Sequence, residues 1–258
     1  MAATQNTTFI PTRADIIVVR MILESRNIPT ELVLAILDHA RYWREVVHEK
    51  SNPHQVKAEW PEYSAIYPYQ VVDLRDTWVP RGEEHGKIQE IEFVISSRDQ
   101  GWTSEDTEGT YNTSSWFETS IVRQREGLLG SQGRFGEIID GQTFSTIEEA
   151  RHSMQAQGWD LASKRSPRMD PQEETSDEDE YTWYLQGNLV AEDDDKLHWV
   201  VWSRDTHPGG VVNEGSGAGE SFIDILETND IVIVWARATF PGWENNVSSM
   251  RMVMRLTI

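Results

Sequence analysis

The sequence predicts a mainly β protein: a jelly-roll-like antiparallel β-sandwich with a short N-terminal helical hairpin and one inserted helix. Three observations carry this. From about Gln70 onward apolar residues recur with period two rather than 3.6. Irregular polar stretches, not helices, separate most of the apolar runs, which disfavours a parallel strand–helix–strand sheet. The last run places Met250, Met252, Met254, Leu256 and Ile258 on one face and Arg251, Val253, Arg255 and Thr257 on the other. That is an antiparallel strand with one wet face.

The elements follow in chain order. Thr12 and Asp15 have capping-box spacing before a helix carrying Ile16, Val19, Ile22 and Leu23. A second helix is expected after Pro29 with Thr30 as N-cap, its stripe formed by Val33, Ile36, Leu37, Ala40, Trp43 and Val47, ending near Ser51-Asn52-Pro53. Two such short helices cannot bury both stripes against each other, so one stripe is expected to dock on the body or on a partner. The domain division is a helical segment over 1–60 and a Trp-rich sandwich over 61–258. Strands are predicted over residues 90–99, 115–123, 181–186, 197–204, 230–239 and 250–258. The run Ile231-Val-Ile-Val-Trp-Ala is apolar on both faces and belongs in the middle of the stack. Ser145 with Glu148 marks the start of the inserted helix and Gly158 its stop.

An internal similarity links Phe93-Val-Ile-Ser-Ser-Arg-Asp with Trp199-Val-Val-Trp-Ser-Arg-Asp, 106 residues apart from Asp99 to Asp205. It suits equivalent strands in two halves of a sandwich, and it aligns His198 with Glu92. The plain reading of Ser-Arg-Asp is a strand-end turn whose Asp accepts backbone N–H bonds and whose Arg pairs with a carboxylate.

Composition narrows the function. The 258 residues hold 23 basic and 43 acidic side chains, a net charge of −20, which argues against a nucleic-acid partner. With no cysteine, disulfide frameworks, zinc fingers and thiol nucleophiles are excluded. No apolar run approaches the roughly 20 residues of a membrane span. The first thirteen residues lack a basic and apolar leader, so a cytoplasmic location is expected. Acidic runs at 170–180 and 192–195 read as solvated loops without calcium-loop spacing. The glycine-rich Gly215-Ser-Gly-Ala-Gly219 follows no strand and opens no helix, so no nucleotide cofactor is indicated. Asp205 and His207 lack a third ligand, and no metal is expected.

Several strings together resemble a family of fungal proteins of mostly unassigned function: Ser97-Arg-Asp-Gln-Gly-Trp102, Ser115-Trp-Phe-Glu118, His198-Trp-Val-Val-Trp202 and Val234-Trp-Ala-Arg-Ala-Thr-Phe-Pro-Gly-Trp243. Its members join an F-box-like helical start to a Trp-rich β-domain. Here Ile28-Pro-Thr-Glu-Leu-Val-Leu-Ala-Ile-Leu37 resembles that start. The resemblance implies the fold, a protein partner through residues 28–50, and by analogy a place in secondary metabolism.

Eleven tryptophans exceed what one sandwich core about 10 Å thick can hold, so some should line a groove. Trp102, Trp116, Trp202, Trp235 and Trp243 are the expected ligand contacts. His198, Glu92 and Glu118 are the candidate proton-transfer groups, with Arg98 and Arg237 placed to stabilise an anion. With no cofactor motif, the expected activity is a cofactor-free cyclase or isomerase acting on a small apolar natural product. The alternative is an F-box-type adaptor whose sandwich binds a carbohydrate or another ligand.

Overall fold

The computed structural model describes residues 9–77, 86–125, 135–164, 180–204 and 213–257. Most of the acidic run at 170–180 and the Asp205–His207 pair lie outside these residues. Helix α1 (Arg13–Glu24) is capped as its sequence predicts: Thr12 Oγ1 accepts the Asp15 N–H at 3.3 Å, and the Thr12 N–H donates to Asp15 Oδ2 at 2.9 Å. Helix α2 (Thr30–His39) differs from expectation at both ends. Pro29 precedes its first turn, so Thr30 lies inside the helix, and its hydroxyl donates to Glu24 instead. The helix stops 12 residues before Ser51, and Arg41 turns the chain with a φ of 51°.

The predicted tail of α2 is a strand. Residues of β1 (Arg44–Lys50) pair antiparallel with β10 (Glu244–Leu256) from Arg44↔Leu256 to Lys50↔Met250. Seven residues with Val46 and Val47 at the centre gain a full ladder this way, which a last helical turn could not match. The helical segment therefore ends at His39 rather than near residue 60, and Trp43 and Val47 leave its stripe.

Two antiparallel five-stranded sheets pack face to face. The first runs β1, β10, β4 (Ile88–Arg98), β8 (Lys196–Ser203), with β2 (His54–Lys57) also on β10. The second runs β3 (Ser64–Asp73), β9 (Ile231–Thr239), β5 (Ser115–Gln124), β6 (Trp159–Leu161), with β7 (Trp183–Gly187) also on β5. The main core lies between them, where Ile91, Phe93, Ile95, Met250, Met252 and Met254 meet Phe117, Ile121, Val232 and Val234. Each such fully buried side chain contributes about 1.5–3 kcal/mol of transfer free energy.

A second core covers the back of the second sheet. Short helices α3 (Leu74–Thr77) and α4 (Phe135–Ile139) follow β3 and precede α5 (Ile147–Gln155), and α6 (Phe222–Ile225) precedes β9. Residues of α4 and α5 bury Ile231, Ile233 and Trp235, so β9 is apolar on both faces as predicted. The inserted helix starts one residue later than predicted. Thr146 Oγ1 accepts the Glu149 N–H at 3.1 Å, and the Ser145 N–H donates to Glu149 Oε2 at 2.7 Å.

The internal repeat does not relate two halves. Strands β4 and β8 are neighbours in one sheet, with Ile95 opposite His198 and Glu92 opposite Val201. Glu92 and His198 therefore point to opposite faces, because register partners share a face and the side-chain period is two.

The hairpin buries only part of its apolar surface between its two helices. Ile16, Val33 and Leu37, backed by Val19, Leu23, Ile28 and Tyr42, form a small core of their own. Ile17, Val18, Met21, Ile22, Leu32, Leu34 and Ile36 remain exposed. No described helix is long and apolar enough to cross a membrane.

Candidate functional site

The sandwich has two unlike ends. The hairpin sits at the end where β10 finishes and β4 begins. Between hairpin and sheet runs a cleft of about 280 Å³ lined by Leu34, Leu37, Tyr42, Trp43, Gln89 and Thr257. The far end gathers the loops after β2, β4, β7 and β9. Thirteen residues of β10 span the distance between the two, roughly 40 Å at strand rise.

The far end is rigidly built. The Asp99 carboxylate, fully buried where β4 ends, accepts the N–H groups of Ala191 at 2.7 Å, Gly101 at 2.8 Å and Glu192 at 3.3 Å. Burial raises its pKa, and the three backbone bonds oppose that shift. The loops after β4 and β7 are thereby tied together. This is the strand-end turn that Ser-Arg-Asp predicts, with Arg98 paired to Asp195 at 3.4 Å.

Beneath it, Asn188 joins the two sheets. It accepts from Ser97 Oγ at 2.7 Å, donates to Ser115 Oγ at 2.7 Å and donates to Asn245 Oδ1 at 3.1 Å, all four residues being fully buried. Such a network is stabilising only when every member is satisfied, and it fixes the loop end to both sheets. A groove of about 700 Å³ opens above it, lined by His54, Gln55, Arg98, Asp193, Asp194, Asp195, Asn246 and Ser248.

The ten residues predicted to form one site divide among several places. Arg98 and Trp102 lie at this loop end, with Trp243 packed beneath it and almost buried. Trp116, Glu118 and Arg237 meet on the back of the second sheet. Glu118 accepts from Trp116 Nε1 at 2.8 Å and from Arg237 Nη1 at 2.7 Å, and the guanidinium lies 4.8 Å from the Trp116 ring centre. Tyr184, the register partner of Glu118, is pushed up to about 12 by burial and then by the Glu118 charge.

The remaining four do not join either group. Glu92 lies on the outer face of the first sheet and accepts from Arg255 at 2.8 Å, beside Glu45 and Glu90. Trp202 and Trp235 are core residues whose indole N–H groups bond the Gly217 carbonyl at 2.8 Å and Ser120 Oγ at 2.9 Å. His198 is only 4% exposed, faces the sandwich interior beside Tyr111, and its Nε2 has no hydrogen-bond partner among the described residues. Burial, with Lys196 nearby, lowers its pKa to about 4, so the imidazole is neutral near pH 7.

Sequence reasoning missed other exposed aromatics of the loop end. Trp60, Tyr63 and Phe240 stand out of the loops after β2 and β9. Their signal was weak because each lies among turn residues, outside any periodic run. The glycine-rich loop has a packing role: a side chain at position 219 would collide with the Trp202 ring, and one at 217 with the Tyr184 backbone. Among the described residues no cluster of three or more metal-ligating side chains occurs. No protein-family model matches the chain, and no curated protein matches it.

Proposed function

We propose that the protein is a non-catalytic binding adaptor, with its helical hairpin as the protein-docking end. The supporting observation is the exposed apolar stripe of the hairpin. Ile17, Val18, Met21 and Ile22 on α1, with Leu32 and Ile36 on α2, lie outside the small core that holds the helices together. Exposed apolar surface of this extent marks interaction sites in soluble proteins. The Ile28-Pro-Thr-Glu-Leu start of α2 points to the occupant, a Skp-type ubiquitin-ligase subunit of the kind F-box helices bind. The body's ion-paired and core-bound titratable groups fit this reading better than shared acid–base chemistry. Calorimetric titration with a purified Skp-type subunit tests it. Binding that Met21→Asp and Ile36→Asp abolish, in variants that melt like the parent, is expected. Absence of binding by the parent overturns the reading.

One observation favours catalysis as a second reading. Trp116, Glu118, Arg237 and Tyr184 place a carboxylate, a cation and a phenol within one aromatic cluster. On that reading the protein is a cofactor-free cyclase of apolar natural products in fungal metabolism. Turnover of a polyketide or terpenoid substrate that Tyr184→Phe removes would support it. A screen of such compounds without turnover would dismiss it.

A further inference from the structure

The aromatic side chains at the loop end lie where a core-forming role is impossible. Trp60 is 72% exposed, Trp102 and Phe240 are each 59% exposed, and Tyr63 is 38% exposed. They come from three separate loops yet form one surface. The Trp60 and Tyr63 rings lie 4.6 Å apart, the Phe240 N–H donates to the Tyr63 carbonyl at 2.7 Å, and Trp102 closes over Gly242, with 3.8 Å between its ring and a side chain built there. The Gly101 turn then leads from Trp102 to Asp193 and into the groove.

The backbone is bent to present this surface. Tyr63 and Phe240 take the left-handed conformation, with φ of 58° and 70°, which strains a non-glycine residue. Gly101 and Gly242 beside them have φ of 82° and 97°. Strain of this kind persists where the surrounding structure over-determines it, and here the Tyr63 N–H donates to the Glu59 carbonyl at 3.0 Å while the Phe240 carbonyl accepts the Trp243 N–H at 3.1 Å. Large rigid aromatics on a fixed frame lose little entropy when they bind.

We infer that the loop end binds an oligosaccharide chain of pyranose units with equatorial hydroxyls, of the β-1,4-glucan or β-1,4-N-acetylglucosamine type. Two chemical demands meet here. Such a sugar presents axial C–H groups on its flat faces, which stack on indole and phenyl rings, and hydroxyls at its edge, which need paired planar donors and acceptors. The platform of Trp60, Tyr63, Trp102 and Phe240 meets the first. The polar groove meets the second: Gln55 donates to Asn246 at 3.0 Å and Arg98 pairs with Asp195 at 3.4 Å, so these planar groups are held in place, and their further N–H groups and oxygens, with the Asp193 and Asp194 carboxylates, line the groove. A flat apolar molecule needs an enclosed apolar pocket, whereas this groove is open and its lining is mostly polar. A chain suits it better than a single sugar, because the ring-bearing loops and the groove are separate contact regions joined at the Gly101 turn, beside Asp193.

The site extends the adaptor reading to the opposite end of the sandwich, and the two fail independently, since their variants lie roughly 40 Å apart. The test is binding of cellohexaose and chitohexaose to the full chain, followed by tryptophan fluorescence and calorimetry, with a polycyclic aromatic as the competing probe. At least one hexasaccharide should bind. Trp102→Ala and Trp60→Ala should each weaken that binding by roughly tenfold or more without moving the melting temperature. Trp199→Ala removes a tryptophan of β8 that is 57% exposed but off this surface, and it should leave binding unchanged. Three results would overturn the inference: no binding of either hexasaccharide, binding of the polycyclic compound alone, or equal loss in the Trp199 variant.

Discussion

Glu92 and His198 stand on opposite faces of the same sheet, Glu92 outward opposite Val201 and His198 inward opposite Ile95. Their alignment in the repeated Ser-Arg-Asp strings is therefore a similarity of strand ends, with no shared site. One residue of register separates an acid–base pair from two unrelated structural groups.

His198 makes stability depend on pH in a defined window. Its pKa is about 4 when folded against an ordinary 6.5, so between these values the unfolded chain binds more protons. This contribution is fully present above about pH 6.5 and is lost as pH falls toward 4. His48 and His54, also lowered by burial, act in the same direction, while Asp99 and Asp230, raised by burial, act in the opposite one. The measurement is consequently a difference: urea midpoints of the parent and His198→Gln between pH 4 and pH 7. The variant should show a shallower decline toward acid pH. Parallel curves would show that His198 does not titrate this way.

Glu118 and Arg237 are both buried, their side chains being 10% and 3% exposed. Removing one charge breaks a buried ion pair, which costs about 3–5 kcal/mol. Glu118→Met and Arg237→Met should each be strongly destabilising, and the double variant should be more stable than either. Denaturant unfolding of the three proteins decides it. Additive losses would mean that each residue acts through other partners.

Much of the fold was legible because periodicity records burial. The strands around Phe93, Phe117, Val232 and Met252 face one core, and their alternation shows it. What stayed hidden was long-range. Nothing local says that Val46 and Val47 will find the edge of β10, so helix spacing around Trp43 misled. Strand β3 was missed because Pro68 and Gln70 interrupt its pattern, and there the ladder with β9 shifts register. The candidate site was less legible still. The sequence points to Arg98 and Trp102, which lie at the loop end, but the approach of Trp60, Tyr63 and Phe240 to that end depends on three loops meeting there.

Asn188 carries the polar link between the sheets. Asn188→Ala would leave Ser97, Ser115 and Asn245 short of partners in a site without access to water. A cost of about 2–4 kcal/mol is expected, because orphaned buried groups lose their solvation with no return. The loop end should also loosen. Hydrogen exchange should speed up at Gly101, Ala191 and Glu192, whose N–H groups hold Asp99 above the network. Stability loss with unchanged exchange there would show that Asp99 alone orders the loops.

Arg255 is the only cation bonded at once to Glu45, Glu90 and Glu92 among the described ion pairs, with Nε to Glu45 at 2.8 Å and Nη2 to Glu92 at 2.8 Å. Burial opposes its charge, but the three carboxylate bonds outweigh that and raise its pKa. Arg255→Met would leave three carboxylates facing one another on the sheet, with Arg41 against Glu90 as the one cation beside them among the described ion pairs. Destabilisation of about 2–4 kcal/mol at pH 7 follows from like-charge repulsion and lost bonds. Glu92→Gln, which retains an acceptor for Arg255 and removes one charge, should cost about 1 kcal/mol or less. A Glu92→Gln loss equal to that of Arg255→Met would mean the Glu92 charge holds the outer face, and Arg255 serves it alone.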